Sequence, residues 1–382
     1  MFLDQLTDEG RTSVFLLLGG SLGLLAVVTL ATRLLIHHVE PSPGRRALAH
    51  FLPIASAALA FCLLGRFEMA LAVAFGTSVA ALSAVTGFEL LAGRGGQPPE
   101  SSRICWMLLP AAVLLIFITS SRGYLNWKEA SLFLAQGLVL LWLWLTAPPD
   151  PSAGQMAEHL DRIAPDPTPV HATFAPPPAQ ATAPADEPHS PVGRPAAPRI
   201  GLVATTVSAL AIAVVTGLVA GAAAIGAEGF ARINPPLTSP YTPMILGATL
   251  LSLTLALPMI STGIPLVVAG RPGQAITSQI GVVLLNLCGL VPGIVALWSA
   301  VNRYKSLRQW LGISAPLTDL PFPGALRRID LAALVVLSIV LLGAATGMLK
   351  LSRRLGAALV LGYCAYLVAV LVPGAWRVAP LP

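Results

Sequence analysis

The sequence predicts an all-α integral membrane protein of about ten transmembrane helices, laid out as two inverted five-helix repeats. Three observations predict it. Of the 382 residues, 55% are hydrophobic and only 10% charged, with a mean hydropathy of +0.78; soluble domains carry about 25% charged residues. Several apolar runs reach the roughly 20 residues that a helix needs to cross about 30 Å of hydrocarbon. The stretch from Leu52 to Gly87 recurs from Leu257 to Pro292 without a gap, at a constant offset of about 205 residues (257 minus 52). Backbone facing lipid must satisfy its own hydrogen bonds, and the runs lack the two-residue alternation of a barrel, so helices are the spans.

Taken in order, the spans are expected at about 14 to 36, 49 to 64, 69 to 92, 104 to 120 and 129 to 147, then 201 to 226, 243 to 268, 274 to 300, 329 to 348 and 355 to 374. The first is longer than a signal h-region and has no small-residue cleavage site behind it, so it reads as a retained helix. The second can start at Ala47 if His50 sits in protein or water. Residues 1–147 therefore form a first five-helix repeat and 201–382 a second. Between them, 148–200 is rich in Pro and Ala, with Pro-Pro-Asp-Pro and Ala-Pro-Pro-Pro-Ala runs, and reads as a flexible linker that cannot bury enough surface to fold alone. An odd number of crossings turns the second half upside down relative to the first, which is the plan of secondary transporters with a midplane site.

The net charge of +6 and pI near 9.5 come from basic residues crowded into loops and do not point to nucleic acid. Lys and Arg nearly balance across the two sides, so the positive-inside rule assigns no orientation. The cysteines, Cys62, Cys105, Cys288 and Cys364, lie in or beside apolar runs without metal-clip spacing and read as small packing residues. There is no nucleophile-base pair, phosphate loop or His/Cys metal cluster in any span. An enzyme is not expected, and neither is a cofactor.

Each copy of the repeated unit is an apolar run opened by Leu-Pro, a Gly-Arg break and a second apolar run: Leu52-Pro53, Gly65-Arg66 and Gly76-Thr77-Ser78 in one, Leu257-Pro258, Gly270-Arg271 and Ala275-Ile276-Thr277-Ser278-Gln279-Ile280-Gly281 in the other, ending at Asn286. This unit resembles the repeats of the calcium/cation antiporter superfamily, the sodium/calcium exchanger membrane region. Those repeats carry Ser-Leu-Pro-Glu, a Gly turn and Ala-x-Gly-Asn-x-x-Gly-Ser-Asn. The flanks are similar too: Arg328-Ile329-Asp330 and Leu351-Ser352-Arg353-Arg354 resemble the openings of the last two helices, and Leu125-Asn126-Trp127-Lys128-Glu129 holds the matching place in the first half. The resemblance covers nearly all of the chain except the linker. It implies a secondary-active transporter in the cell inner membrane, multi-pass, that moves a small cation by alternating access.

The chain departs from the family where the chemistry lies. The family's motif glutamates, which hold the cation, are replaced by Ile54 and Met259. Calcium takes six to eight oxygen ligands and normally needs carboxylates, so ordinary calcium exchange is not expected and the metal is unknown. The resemblance leaves as transport-path candidates Pro53, Ser56, Thr77, Ser78, Pro258, Ser261, Thr262, Thr277, Ser278, Gln279 and Asn286. The prolines free backbone carbonyls within a span, and the other side chains offer neutral oxygens; hydroxyls in membrane helices also serve plain helix packing. His50, three residues before Pro53, is a possible titratable group. Glu68, Glu89, Glu129 and Glu228 lie outside the motif and read as solvated or interfacial charges. The alternative is a non-transporting antiporter-fold protein acting as a binding or scaffold subunit. The bilayer and the cation are the partners named; protein partners are unknown.

Overall fold

The computed structural model describes residues 8–38, 43–93, 103–146, 202–233, 242–311, 319–324 and 326–371. The expected linker at 148–200 lies outside the described residues. Ten long helices follow the ten apolar runs: α1 (Asp8–His38), α2 (Pro43–Leu63), α3 (Phe67–Ala92), α4 (Arg103–Thr119), α5 (Trp127–Thr146), α6 (Leu202–Ile233), α7 (Pro243–Val268), α8 (Pro272–Arg303), α9 (Leu326–Ala345) and α10 (Arg353–Leu371). Among the described residues, nine are long and apolar enough to cross a membrane. The other is α5, a helix of 20 residues.

The Gly-Arg break is the same turn in both halves. Gly65 and Gly270 take the left-handed conformation, with φ of 74° and 78°. Arg66 N donates to Phe61 O and Arg271 N to Leu266 O, both at 2.8 Å, while Gly65 N reaches Cys62 O and Gly270 N reaches Val267 O. These are the paired bonds of a Schellman ending, which needs a residue without a Cβ penalty at that place. The helix after the break follows at once, and in α8 Pro272 opens it, where a missing N–H costs nothing.

Four π turns interrupt otherwise α-helical spans: Ala81–Val85 in α3, Gly247–Leu251 in α7, Asn286–Leu290 in α8 and Leu326–Leu331 in α9. The turns in α3 and α8 start at corresponding places of the repeated unit. A π turn inserts a residue and frees a carbonyl from its usual donor. Thr86 Oγ1 takes up Ala81 O at 2.9 Å and Ser252 Oγ takes up Gly247 O at 2.6 Å.

Glycines set the helix packing, and their contacts give the helix directions. A side chain at Gly20 would run into Ala223, at Gly226 into the Leu17 backbone and at Gly229 into Ser13. Numbers rise along α1 as they fall along α6, so the first helices of the two halves run antiparallel. By the same reading α3 and α7 run the same way, with Gly76 against Ala248, Glu89 against Gly263 and Gly93 against Val267. The apolar side chains of α3 are buried from Phe67 to Val85, whereas Phe88 near its end and Phe15, Leu22, Leu218 and Leu361 on the outer helices are exposed, as lipid-facing residues are. A two-stranded link, β1 (Tyr124–Leu125) with β2 (Leu320–Pro321), joins the segments before α5 and α9, and Arg327 Nη1 donates to Ser121 O beside it at 2.6 Å.

The α1–α6 seam makes a simple prediction. Gly226→Leu forces the two backbones apart and is expected to lower stability by about 1–3 kcal/mol, read as thermal unfolding in detergent. Gly19→Leu, with nothing within 4 Å of its Cβ, should leave the melting temperature unchanged.

Candidate functional site

Most of the sequence-predicted residues gather where α3 and α8 cross inside the bundle, flanked by α2, α4 and α7. Pro53 and Pro258 are buried, but neither divides its span: α2 and α7 continue as helices through them. Ile54 and Met259 are fully buried among apolar side chains. Ser56 Oγ donates to Leu52 O and Ser261 Oγ to Pro258 O, each at 2.7 Å within its own helix. The structure therefore leaves these two serines apart from the residues it brings together.

The middle of the bundle holds Thr77, Ser78 and Asn286. Asn286 Nδ2 donates to Ser78 Oγ at 3.1 Å and lies 3.4 Å from Ala74 O. Because Ser78 gives its own proton to Ala74 O at 2.8 Å, its oxygen is free to accept. That arrangement fixes the amide and leaves Asn286 Oδ1 buried with no partner; Thr77 Oγ1 is in the same condition. Unpaired polar atoms cost about 1–3 kcal/mol each when buried, and each such exception in a protein interior asks for an explanation.

A second polar layer lies towards one end of the bundle, where α2, α4 and α8 begin and α3 and α7 finish. His50 Nε2 is 3.0 Å from Thr262 Oγ1. The Thr262 hydroxyl donates to Met259 O, so Nε2–H donates to it, and the bond joins the first half to the second. Trp106 Nε1 donates to Thr277 Oγ1 at 3.0 Å, which in turn donates to Gly273 O. Gln279 Oε1 accepts from Ser278 Oγ at 2.7 Å, and Gln279 Nε2 donates to Glu89 Oε1 at 2.6 Å.

Glu89 corrects the sequence reading. Expected as a solvated or interfacial charge, it is wholly buried, packed on Gly263, where any Cβ would overlap its carboxylate. Gly263 is what makes the space. Only one of its oxygens is hydrogen-bonded, and Oε2 has no partner. The motif position hid it: the family's acids stand in α2 and α7, and this one stands in α3, about 16 Å along the helix from Ser78 at 1.5 Å per residue. The signal that finds it is a carboxylate inside a span with scarcely another charge, since an intramembrane acid costs about 3 kcal/mol and is kept for a reason. His50 is likewise buried rather than interfacial. Glu228 instead pairs with Arg66 of the first Gly-Arg turn, and Glu129 caps α5 by accepting from Asn126 N; both are structural charges. Among the described residues no group of three or more His, Cys, Asp or Glu side chains converges on one point; in this layer Glu89 is a carboxylate set among the neutral oxygens of Ser278 and Gln279.

The predicted oxygen at Gln279 gives a stability test. Gln279→Leu removes the donor to Glu89, and Gly263→Ala takes its space; each is expected to lower stability by about 1–3 kcal/mol in thermal unfolding. Ser261→Ala should stay within about 0.5 kcal/mol.

No protein-family model and no curated protein sequence matches this chain. Solved structures do. Structures of the sodium-calcium exchanger NCX_Mj soaked with Na+ and Sr2+ superpose on it with TM-scores of 0.53, 0.52 and 0.51, at 14%, 13% and 13% identity. The matches cover 94%, 94% and 95% of this chain and 98%, 98% and 97% of the exchanger. At such identities the likeness is one of fold. The chain is an all-α membrane protein with a calcium/cation antiporter-like fold.

Proposed function

We propose that the protein is a secondary transporter that moves a small monovalent cation by alternating access between two inverted five-helix units, residues 1–147 and 201–382. The observation that carries the reading is a set of buried oxygens without partners, Thr77 Oγ1, Asn286 Oδ1 and Glu89 Oε2, on the two helices at the heart of an antiporter-like fold. The antiparallel first helices, the matched Gly-Arg turns and the matched π turns support the inverted plan.

Charge decides the substrate. A single carboxylate balances one positive charge, and neutral oxygens can replace the hydration shell of a monovalent ion. A divalent ion at the same place would keep a net charge in a low-dielectric setting, where nothing else compensates it. Glu89 supplies the charge in this reading, Gln279 orients it, and Asn286 with Thr77 forms a relay towards the other side. NCX_Mj is called a sodium-calcium exchanger; ordinary calcium exchange is not proposed for this chain. The cell inner membrane is the proposed location.

One observation favours the other reading, a transporter fold that serves as a binding or scaffold subunit. Ser56, Ser78, Ser261, Thr262 and Thr277 each bond a carbonyl of their own helix, and Ile54 and Met259 fill the places of the motif acids with apolar packing.

Proteoliposome flux separates the two. Under imposed gradients of sodium, potassium, protons and calcium in turn, the proposal expects uptake of a monovalent cation that Glu89→Gln abolishes. Asn286→Ala should lower it by roughly 10-fold, the scale of losing a partner that orients a cation ligand. A folded protein that moves none of the four ions belongs to the scaffold reading.

A further inference from the structure

A second carboxylate is buried far from Glu89. Asp330 sits in the π turn that opens α9 and is only 1% exposed. Both of its oxygens are buried without a hydrogen-bond partner. Beside it from α10 stand Tyr363 and Tyr366, stacked with ring centroids 5.7 Å apart. The Tyr366 hydroxyl points to Ala248 O in the π turn of α7, at 3.4 Å, and the Tyr363 hydroxyl has no partner. Two π turns thus meet over one acid and two phenols.

The position matters. α3 and α7 run together from this cluster to the Glu89 layer, since Gly76 packs on Ala248 and Glu89 on Gly263. From Ala248 to Gly263 the helix rises roughly 22 Å, so the two acids lie on opposite sides of the bundle's middle. The stretch between them holds Ser252, whose Oγ is 3.2 Å from Val73 O, and the Asn286–Ser78 pair.

We infer that Asp330, with Tyr363 and Tyr366, is a proton-binding site on the side of the membrane opposite Glu89. A buried carboxylate with no cationic partner, faced by two phenols, is least costly as the neutral acid, because burying an unpaired ion costs several kcal/mol. Gly76 and Ala248 pack too closely to admit a Cβ there, and a proton, unlike a metal ion, needs no added space. Among the described residues no cationic side chain compensates it: of the basic residues on its own turn, Arg327 is drawn to Ser121 O and Arg328 is exposed. The titratable groups facing it from α10 are the two tyrosines, with Cys364 next to Tyr363; α3, also packed on this turn, brings apolar side chains such as Phe75, whose ring meets Phe322 just before the turn. When the acid gives up its proton, the two phenols are the donors at hand to receive the charge, which makes binding reversible. The inference stands whether or not the Glu89 layer carries an ion.

Infrared difference spectra of the full-length protein in lipid, taken between about pH 5 and about pH 9, test it. The expected result is a neutral carboxylic-acid carbonyl band that is lost at the higher pH, is missing in Asp330→Asn, persists in Asp330→Glu and is unaffected by Glu89→Gln. A spectrum that Asp330→Asn leaves unchanged overturns the inference. Carbodiimide labelling of the unmodified protein reads the same site without a variant, since the reagent takes protonated carboxyls in apolar surroundings. Labelling of Asp330 that falls as pH rises supports the proton site. No labelling at any pH, or protection by sodium or potassium at fixed pH, contradicts it.

Discussion

Two helices of this protein, α3 and α8, are surrounded by other helices, and everything else follows from what such a position demands. In lipid every polar group must find its partner inside the protein, so a helix enclosed on all sides can carry polar side chains only where a neighbour answers them. The neighbours do answer: Asn286 on α8 reaches Ser78 on α3, and Gln279 on α8 reaches Glu89 on α3. Close approach is what permits it. Gly76 and Gly263 remove side chains where α3 meets α7, and Gly20 and Gly226 do the same where α1 meets α6. Gly263 also leaves the space that the Glu89 carboxylate fills.

Against that background the unanswered atoms carry meaning. Thr77, Asn286 and Glu89 each keep a buried oxygen without a partner. Ile54 and Met259, where the resembled repeats carry glutamates, are buried apolar side chains. In the proposed reading one carboxylate, hydrogen-bonded to Gln279, supplies a single charge where the resembled motif has two acids. That single charge is the reason the account turns from calcium to a monovalent ion.

The fold was legible because it rests on signals that survive divergence. Apolar runs of spanning length gave all ten helices, although α1 and α2 begin six residues before the expected starts and α6 runs seven past its expected end, and the Gly-Arg break gave the Schellman turns at Gly65 and Gly270, since only glycine takes that conformation cheaply. The candidate site was legible in part. Thr277, Ser278, Gln279 and Asn286 were found through the repeat, and the structure links Gln279 and Asn286 across to α3. Glu89 and Asp330 were missed as site residues, because the repeat directs attention to matched positions and neither acid has a matched partner: Ile294 stands in the second half where Glu89 stands in the first. The π turns were also invisible, as an inserted residue in a helix leaves no mark in the pattern of apolar residues. Depth within the bundle, which decides whether an acid is solvated, is a property of packing that no single span displays.

The central claim is that one cation binds at Glu89 with neutral oxygens from α8. Diffraction from crystals soaked with a heavy monovalent cation such as thallium measures it most directly. The account predicts anomalous density within coordination distance of Glu89 Oε2, lost in Glu89→Gln. Density confined to the surface, with Glu89 still bonded to Gln279 alone, would contradict it.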